Sequence, residues 1–269
     1  MAGRARTTYA DEMAHFDESI KREFPEHNGP DYIETALNVM RKLKLPECDG
    51  IALSPVSKVP AQVIILLQVG LRRTVELTEA AIREINLRNL VSTALLSRGT
   101  LETACLLWDV MNAIEEVASG ENAEVKRLLE TLSKSLLGGK AKEVMIDERI
   151  EARNVITIIQ RLSKKFDVPL FGFFERLSEY AHPNYHGMMA TYTEVGAEGG
   201  IKAFCDGRAS SERALLITAI GTVATSCSII IESFKIAAAR LESLAALAER
   251  AVFEAGTWPK EIEYPVPRT

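Results

Sequence analysis

An arginine and a histidine six positions apart carry the clearest chemical signal in this sequence. Arg176 and His182 lie within the stretch 171–187 and are joined by Leu-Ser-Glu-Tyr-Ala. A histidine can transfer a proton near neutral pH, and an arginine can stabilise the negative charge of a phosphoryl transition state. If both side chains faced one phosphodiester, they could therefore support phosphoryl transfer.

A structural interpretation of the same two residues is equally simple. Arg176 could form a surface ion pair with Glu179, which lies three residues further along a helix. His182 could stabilise the C-terminal end of that helix, where the helix dipole favours a positive charge. The residue types and their spacing alone leave both interpretations open.

We do not expect a metal or a cofactor at this place. Pro183 lies between His182 and His186 and breaks the helix, so their four-residue spacing does not put them on one face. No carboxylate or cysteine follows at a recognised ligand spacing. Phosphate-binding loops, dinucleotide fingerprints and nucleophile elbows are also absent from the sequence.

Two charged residues stand out in a second place because their surroundings are apolar. Arg98 and Glu102 are four residues apart and share a helix face, with Asp109 two turns further on. Burying such charges is costly unless they are paired or face a polar cleft. The pattern therefore indicates either an internal ion pair that sets the helix register or a polar cleft lined by Glu102 and Arg98.

The elements that must position these residues are nearly all helices. Apolar residues recur at helical spacing from residue 60 to about residue 255, and Pro183 predicts that the helix carrying Arg176 ends at His182. A fourth long helix is expected from about Asp147 to Lys165, with Asp167 capping the next one. Residues 188–206 alternate around glycines and predict a small β-hairpin. We therefore expect an all-α bundle over residues 60–257, after a helical extension and loop (1–59) and before an extended tail (258–269).

Composition limits the class of protein. The chain has 269 residues, 47% hydrophobic residues and a net charge of -5, which suits one large domain and excludes a strongly basic surface overall. A local basic cleft remains compatible with this balance. The four cysteines are far apart, and the N-terminus lacks an apolar signal core, so we expect a cytoplasmic protein with reduced thiols.

One uncharged segment, residues 214–231, is close to the minimum length of a membrane-spanning helix. It contains five serines and threonines, and charged residues follow at once while the helical pattern continues. We therefore interpret it as the central buried helix of a bundle, with no membrane contact. Membrane association through this segment is the competing hypothesis.

The motif Arg176-Leu-Ser-Glu-Tyr-Ala-His182 resembles the Arg-x(4–6)-His signature of the HEPN superfamily, helical-bundle proteins of which many are metal-independent endoribonucleases. The segment Leu-Leu-Ser-Arg-Gly-Thr-Leu-Glu-Thr-Ala, which contains Arg98 and Glu102, is similar to the helix that supplies a polar residue to the HEPN site. The resemblance covers about residues 60–250. It implies a HEPN-like bundle in a toxin, defence or stress system.

The resemblance also implies roles for single residues. His182 would be the general acid and base in attack of an RNA 2′-hydroxyl on the adjacent phosphate, and Arg176 would stabilise the phosphorane. Glu102 and Arg98 would orient the site, with Asn184 and His186 as further supporting residues. Two protomers would pair as a homodimer so that both Arg–His segments face one cleft.

A non-catalytic function is the alternative. Leu177 follows Arg176 where catalytic HEPN proteins often have a polar residue, and the chain as a whole is acidic. Both features favour a dimeric helical module that binds RNA, a nucleotide or a protein partner such as a cognate antitoxin. Metal-independent RNA cleavage would separate the two functions.

Overall fold

The computed structural model is an all-α protein with one small β-hairpin, as the hydrophobic periodicity predicts. It describes residues 14–24, 29–54, 56–120, 125–139, 150–196, 200–205 and 209–255. The tail predicted at 258–269 lies outside them. The helices are α1 (Glu18–Glu23), α2 (Gly29–Lys42), α3 (Gly50–Leu53), α4 (Val59–Asn86), α5 (Leu90–Ala118), α6 (Val125–Leu137), α7 (Val155–Phe166), α8 (Leu170–Ala181), α9 (Ala190–Tyr192) and α10 (Ala209–Ala255). A π-helical turn, Tyr185–Met189, precedes α9, and strands β1 (Thr193–Val195) and β2 (Ile201–Phe204) precede α10.

Helices α5 and α10 form the centre of the bundle. Helix α5 packs against α10, α4, α8, α7 and α6, and α10 also contacts α2, α4 and α8. A Cβ atom at Gly70 would lie 2.6 Å from the Leu107 side chain, so glycine lets α4 approach α5 closely. Helix α5 also contacts α8 directly, and these two helices carry Arg98 and Arg176.

The long helix α10 contains the uncharged segment 214–231. It is the one helix in the described part of the chain that is long and apolar enough to cross a membrane, and 61% of its most apolar window is buried inside the protein. Its buried hydroxyls donate to carbonyls one turn earlier, for example Thr222 to Thr218 at 2.7 Å and Ser226 to Thr222 at 2.8 Å. Because each buried hydroxyl is satisfied within the helix, these polar residues are compatible with a core position.

The hairpin lies within the predicted interval but is shorter. Strands β1 and β2 are antiparallel, with Thr193 opposite Phe204 and Glu194 opposite Ala203. Residues 188–192 belong to the π-helical turn and α9 instead of a strand. The alternating pattern of types there is too short to distinguish a strand from a helical turn.

Two predicted helix boundaries are wrong. Helix α7 begins at Val155, not near Asp147, and the Asn154 side chain accepts hydrogen bonds from the Ile156 and Thr157 amides at its start. Residues 147–149 lie outside the described residues. Asp167 adopts a left-handed conformation (φ 52°) and ends α7, while Pro169 precedes α8. Aspartate tolerates this conformation better than most residues, so it can end a helix as well as begin one.

The N-terminal helices pack onto the bundle. Helix α2 contacts α10 and α4, and Phe16, Ile20 and Ile33 belong to the same apolar core as α5 and α10. The Glu34 carboxylate accepts hydrogen bonds from the Phe16 amide at 2.8 Å and from Lys21 at 2.9 Å. These contacts attach the segment that precedes α1 to α2.

Candidate functional site at the end of α8

Helix α8 holds Arg176 and delivers His182 at its end. Its buried side chains, Leu170, Phe174 and Leu177, face the core at helical spacing. As predicted, the helix stops before Pro183. The His182 amide donates to the Ser178 carbonyl at 3.0 Å, and its own backbone is extended (φ -89°, ψ 148°). Because Pro183 has no amide hydrogen and disfavours helical geometry at His182, the sequence places the histidine at the end of α8.

The turn after His182 is held by Asn184 and Gly187. The Asn184 side chain accepts from the Gly187 amide at 3.0 Å and donates to the Glu179 carboxylate at 2.9 Å. A Cβ atom at Gly187 would lie 2.0 Å from the His182 carbonyl oxygen, so only glycine lets the chain pass this close. The sequence-predicted supporting residue Asn184 thus links the turn back to α8.

Arg176 bonds to the neighbouring helix α10. Its Nη1 donates to the Thr218 hydroxyl at 3.3 Å, whereas Glu179 accepts from Asn184. The ion pair with Glu179, which the sequence left open as one interpretation of Arg176, does not form. The guanidinium lies at a groove of about 410 Å³ between α8, α10 and the start of α2, with Phe173, Ile217 and Thr225 in its lining.

His182 does not line this groove. Its side chain is exposed, and no hydrogen bond or ring contact joins it to Arg176 within the described part of the chain. Both residues are nevertheless exposed, Arg176 in the C-terminal half of α8 and His182 directly after the helix, while Leu177 is buried. One protomer therefore presents both side chains to the solvent without pairing them.

Aromatic rings surround the turn. The His186 ring lies 5.8 Å from the Tyr180 ring and 5.5 Å from the Tyr185 ring, measured between centroids. Tyr185 is 61% exposed, and Met188 and Tyr192 nearby are also exposed. Burial raises the pKa of Tyr180, and the charge of Arg176 partly offsets this effect. Tyr180 is therefore neutral at physiological pH, and its ring packs against the core and against His186.

Arg98 and Glu102 form the predicted pair, and α8 covers one side of it. Arg98 Nε lies 2.8 Å from Glu102 Oε1, and the guanidinium carbon stands 4.8 Å from the centre of the Phe174 ring. The side chains remain 25% and 27% exposed, so the pair is only partly internal. It supports α8 from behind through Phe174.

Asp109 belongs to a different cluster from Glu102. It pairs with Arg153 and Arg161, and both of these arginines come from the α7 region, 44 and 52 residues further along the chain. Asp109 is only 7% exposed, which makes it the more deeply buried carboxylate. Two full turns along α5 thus separate two clusters that the sequence placed on one face.

The cysteines and the potential metal ligands can be assessed from their burial and their arrangement. Burial raises the pKa of Cys105 and of Cys227 to about 12, so neither is a thiolate at neutral pH. Cys48 is exposed and Cys205 is half-buried. Among the described residues, no group of three or more histidine, cysteine, aspartate or glutamate side chains could hold a metal ion.

Sequence reasoning missed Thr218, Phe174 and Tyr185. Thr218 and Phe174 read as ordinary core positions, because only their contacts with Arg176 and Arg98 distinguish them. Tyr185 could have been noticed as an aromatic residue between two histidine-bearing positions of a polar turn.

Comparison with protein-family models, with curated proteins and with solved structures finds no match for this chain.

Proposed function

We propose that this protein is a metal-independent endoribonuclease of a toxin, defence or stress system, with its site at the C-terminal end of α8. The observation that carries the proposal is the exposed His182, placed next to Pro183 in a turn that Asn184 and Gly187 hold. An exposed imidazole on a defined turn can reach a substrate. A histidine that only caps a helix needs no such built turn.

In the proposed reaction His182 removes the proton from an RNA 2′-hydroxyl. The 2′-oxygen attacks the adjacent phosphorus, the bond from phosphorus to the 5′-oxygen breaks, and the 5′-oxygen takes up the proton that the His182 imidazolium now carries. The products are a 2′,3′-cyclic phosphate and a free 5′-hydroxyl, so atoms and protons balance without a metal ion.

Arg176 stabilises the extra negative charge of the phosphorane. Its hydrogen bond to Thr218 uses one of five guanidinium donors, which leaves the others for phosphate oxygens. Arg98 and Glu102 orient α8 from below through Phe174 and do not touch the substrate.

Single-stranded RNA is the substrate that fits the surroundings. Tyr185 and Tyr192, three and ten residues after His182, expose aromatic rings, and unpaired bases stack on such rings without sequence preference. Because Arg176 and His182 do not contact each other in one protomer, the proposal includes a homodimer in which two α8 ends face one RNA-binding cleft.

The test is RNA cleavage by the purified chain in excess chelator. We expect cyclic-phosphate ends, no cleavage of DNA of the same sequence, and loss of cleavage in His182→Ala and Arg176→Ala. His15→Ala is the matched control, because His15 is exposed and pairs with Glu34 at 3.6 Å, away from α8. Cleavage that survives in His182→Ala would show that another residue or a contaminant is responsible.

A second candidate is a non-catalytic dimeric module that binds RNA, a nucleotide or a protein partner such as an antitoxin. Exposed apolar side chains around the hairpin favour it, with Phe204 83% exposed and Met188 53% exposed. Light scattering of the wild type and of Phe204→Ser would test this surface. Two results would favour this module over the nuclease. The wild type would bind RNA without cleaving it, and Phe204→Ser would dissociate the dimer.

A further inference from the structure

A second cavity, separate from the α8 end, collects positive charge. It has a volume of about 290 Å³ and lies among α5, α6 and α7. Four cationic side chains line it, against two carboxylates from α5. We call it the α5–α7 cavity. Its cationic residues are Arg127, Arg153, Arg161 and Lys165.

The two carboxylates neutralise only part of the positive charge of these side chains. Asp109 pairs with Arg153 and Arg161, and Glu116 lies 3.4 Å from Lys165. Arg127 lines the same cavity without a hydrogen bond or ion pair to any residue that the structure describes. Counted over the described residues, four cationic side chains and two carboxylates leave the cavity lining with two positive charges in excess, in a protein whose net charge is -5.

An unused hydrogen-bond donor lies in the same lining. The Nδ2 atom of Asn112 is buried and has no partner among the described residues. A buried donor without an acceptor costs free energy that a ligand oxygen would recover. Towards the described residues, the contacts of Arg153 with Asp109 and Ser135 involve only its two terminal nitrogens, so its Nε–H has no acceptor among them.

We infer that the α5–α7 cavity binds a small phosphate-bearing molecule. A phosphate group has several acceptor oxygens, and an arginine guanidinium matches them with two parallel hydrogen bonds. Arg127 and the outer donors of Arg161 would contact the phosphate, and the buried Asn112 amide would donate to it after turning towards the cavity. This function does not depend on the proposed ribonuclease activity.

The size of the cavity favours a small molecule over a polynucleotide. A volume of about 290 Å³ is at the lower end of small-molecule pockets and holds a phosphate with a small attached group. A nucleic-acid track needs a row of cations along the surface, matching successive phosphates. Here the cations converge on one concavity, and Asp109 and Glu116 stand among them.

The experiment is calorimetric titration of the full chain with inorganic pyrophosphate and with AMP, at constant ionic strength. Arg127→Gln is expected to weaken binding about tenfold, through loss of one charge-assisted contact. Lys126→Gln is the matched control, since Lys126 is an exposed cation next to Arg127 that does not line the cavity. It is expected to change the dissociation constant less than about twofold.

Two further variants separate the outcomes. Asn112→Asp puts a carboxylate where the unused donor lies and is expected to abolish binding, while His15→Ala, at an exposed residue outside both sites, leaves it unchanged. A wild type that binds neither pyrophosphate nor AMP overturns the inference, as does equal weakening by Arg127→Gln and Lys126→Gln. A short RNA that binds more tightly than AMP and depends on Arg127 would also overturn it, in favour of a nucleic-acid surface.

Discussion

Arg176 on α8 donates a hydrogen bond to Thr218 on α10 at 3.3 Å, across 42 residues of sequence. The same threonine hydroxyl donates to the Ala214 carbonyl at 2.9 Å, so its acceptor side is turned to the guanidinium. This contact fixes the direction of the one cation that the proposed reaction needs. It therefore offers a way to disturb the site without touching either proposed catalytic side chain.

Thr218→Val removes the acceptor while it keeps the shape of the side chain. We expect the free energy of unfolding to fall by about 1 kcal/mol or less, because a single neutral hydrogen bond contributes about that much. RNA cleavage should fall by about 10- to 100-fold, since a misplaced catalytic group has an effect of this size. Urea denaturation and the cleavage assay measure the two quantities.

Thr225→Val is the control for this prediction. Thr225 lines the same groove, but its hydroxyl donates only to the Gly221 carbonyl. Equal activity of the two valine variants would show that the Arg176–Thr218 contact does not position the site.

Gly187→Ala should destabilise the turn that holds His182. The new methyl group would lie 2.0 Å from the His182 oxygen and 2.8 Å from the Tyr180 oxygen, and both are backbone atoms that cannot move independently. We expect a loss of about 1–3 kcal/mol, as for other overpacked positions. Gly172→Ala in α8 is the control, because apart from the adjacent residues and the backbone of the same helix no atom lies within 4 Å of its Cβ position. That variant should gain up to about 1 kcal/mol from higher helix propensity.

Asp109→Ala should be the most damaging carboxylate substitution. Asp109 is 7% exposed, and its loss leaves Arg153, with a side chain that is 16% exposed, without its anionic partner. Breaking a buried ion pair in this way costs about 3–5 kcal/mol. Glu116→Ala, which breaks an exposed pair with Lys165, should cost about 1 kcal/mol or less. Urea unfolding that ranks Glu116 above Asp109 would contradict this assignment.

The Arg98–Glu102 pair should be weaker than its apolar surroundings in the sequence indicate. Both side chains are about one quarter exposed, so water screens part of their attraction. A double-mutant cycle with Arg98→Met and Glu102→Gln should give a coupling energy of about 0.5–1 kcal/mol. Methionine keeps an apolar contact with Phe174. A coupling energy above about 2 kcal/mol would mean that the pair is shielded from water.

Glu34 should make stability depend on pH. Burial alone would raise its pKa, but hydrogen bonds from Lys21 and the Phe16 amide outweigh burial and leave the pKa below its usual value. A lowered folded-state pKa stabilises the protein above the pKa of the unfolded chain, and this contribution is lost as the pH falls through the folded-state pKa. Glu34→Gln should therefore cost about 1–2 kcal/mol at pH 7 and progressively less below about pH 4.

The exposed Glu47 supplies the control for this titration. Glu47→Gln should leave the free energy of unfolding unchanged at pH 7 and at about pH 3. A Glu34→Gln effect that stays constant from pH 7 to pH 3 would show that it arises from packing and not from charge.

Much of the fold follows from the sequence because its causes are local. Helical periodicity predicts the long helices, Pro183 predicts the end of α8, and glycines with alternating types predict the hairpin. Each signal acts within one or two turns of chain, where backbone geometry decides the outcome. The composition of α10 likewise predicts a helix that is largely buried.

The Arg98–Glu102 pair follows from helical spacing, but the partners of Asp109 and Arg176 were decided only by the tertiary structure. Helical spacing puts Glu102 and Asp109 on one face, yet Glu102 pairs with Arg98 of its own helix and Asp109 pairs with arginines of the α7 region. The residue type of Asp167 is compatible with the start of α8 and with the end of α7. In the folded chain it ends α7. An ion pair depends on which elements meet and on how much water remains between them. Residue spacing gives neither of these quantities. The contact of Thr218 with Arg176 and the α5–α7 cavity can therefore be identified only in the packed bundle.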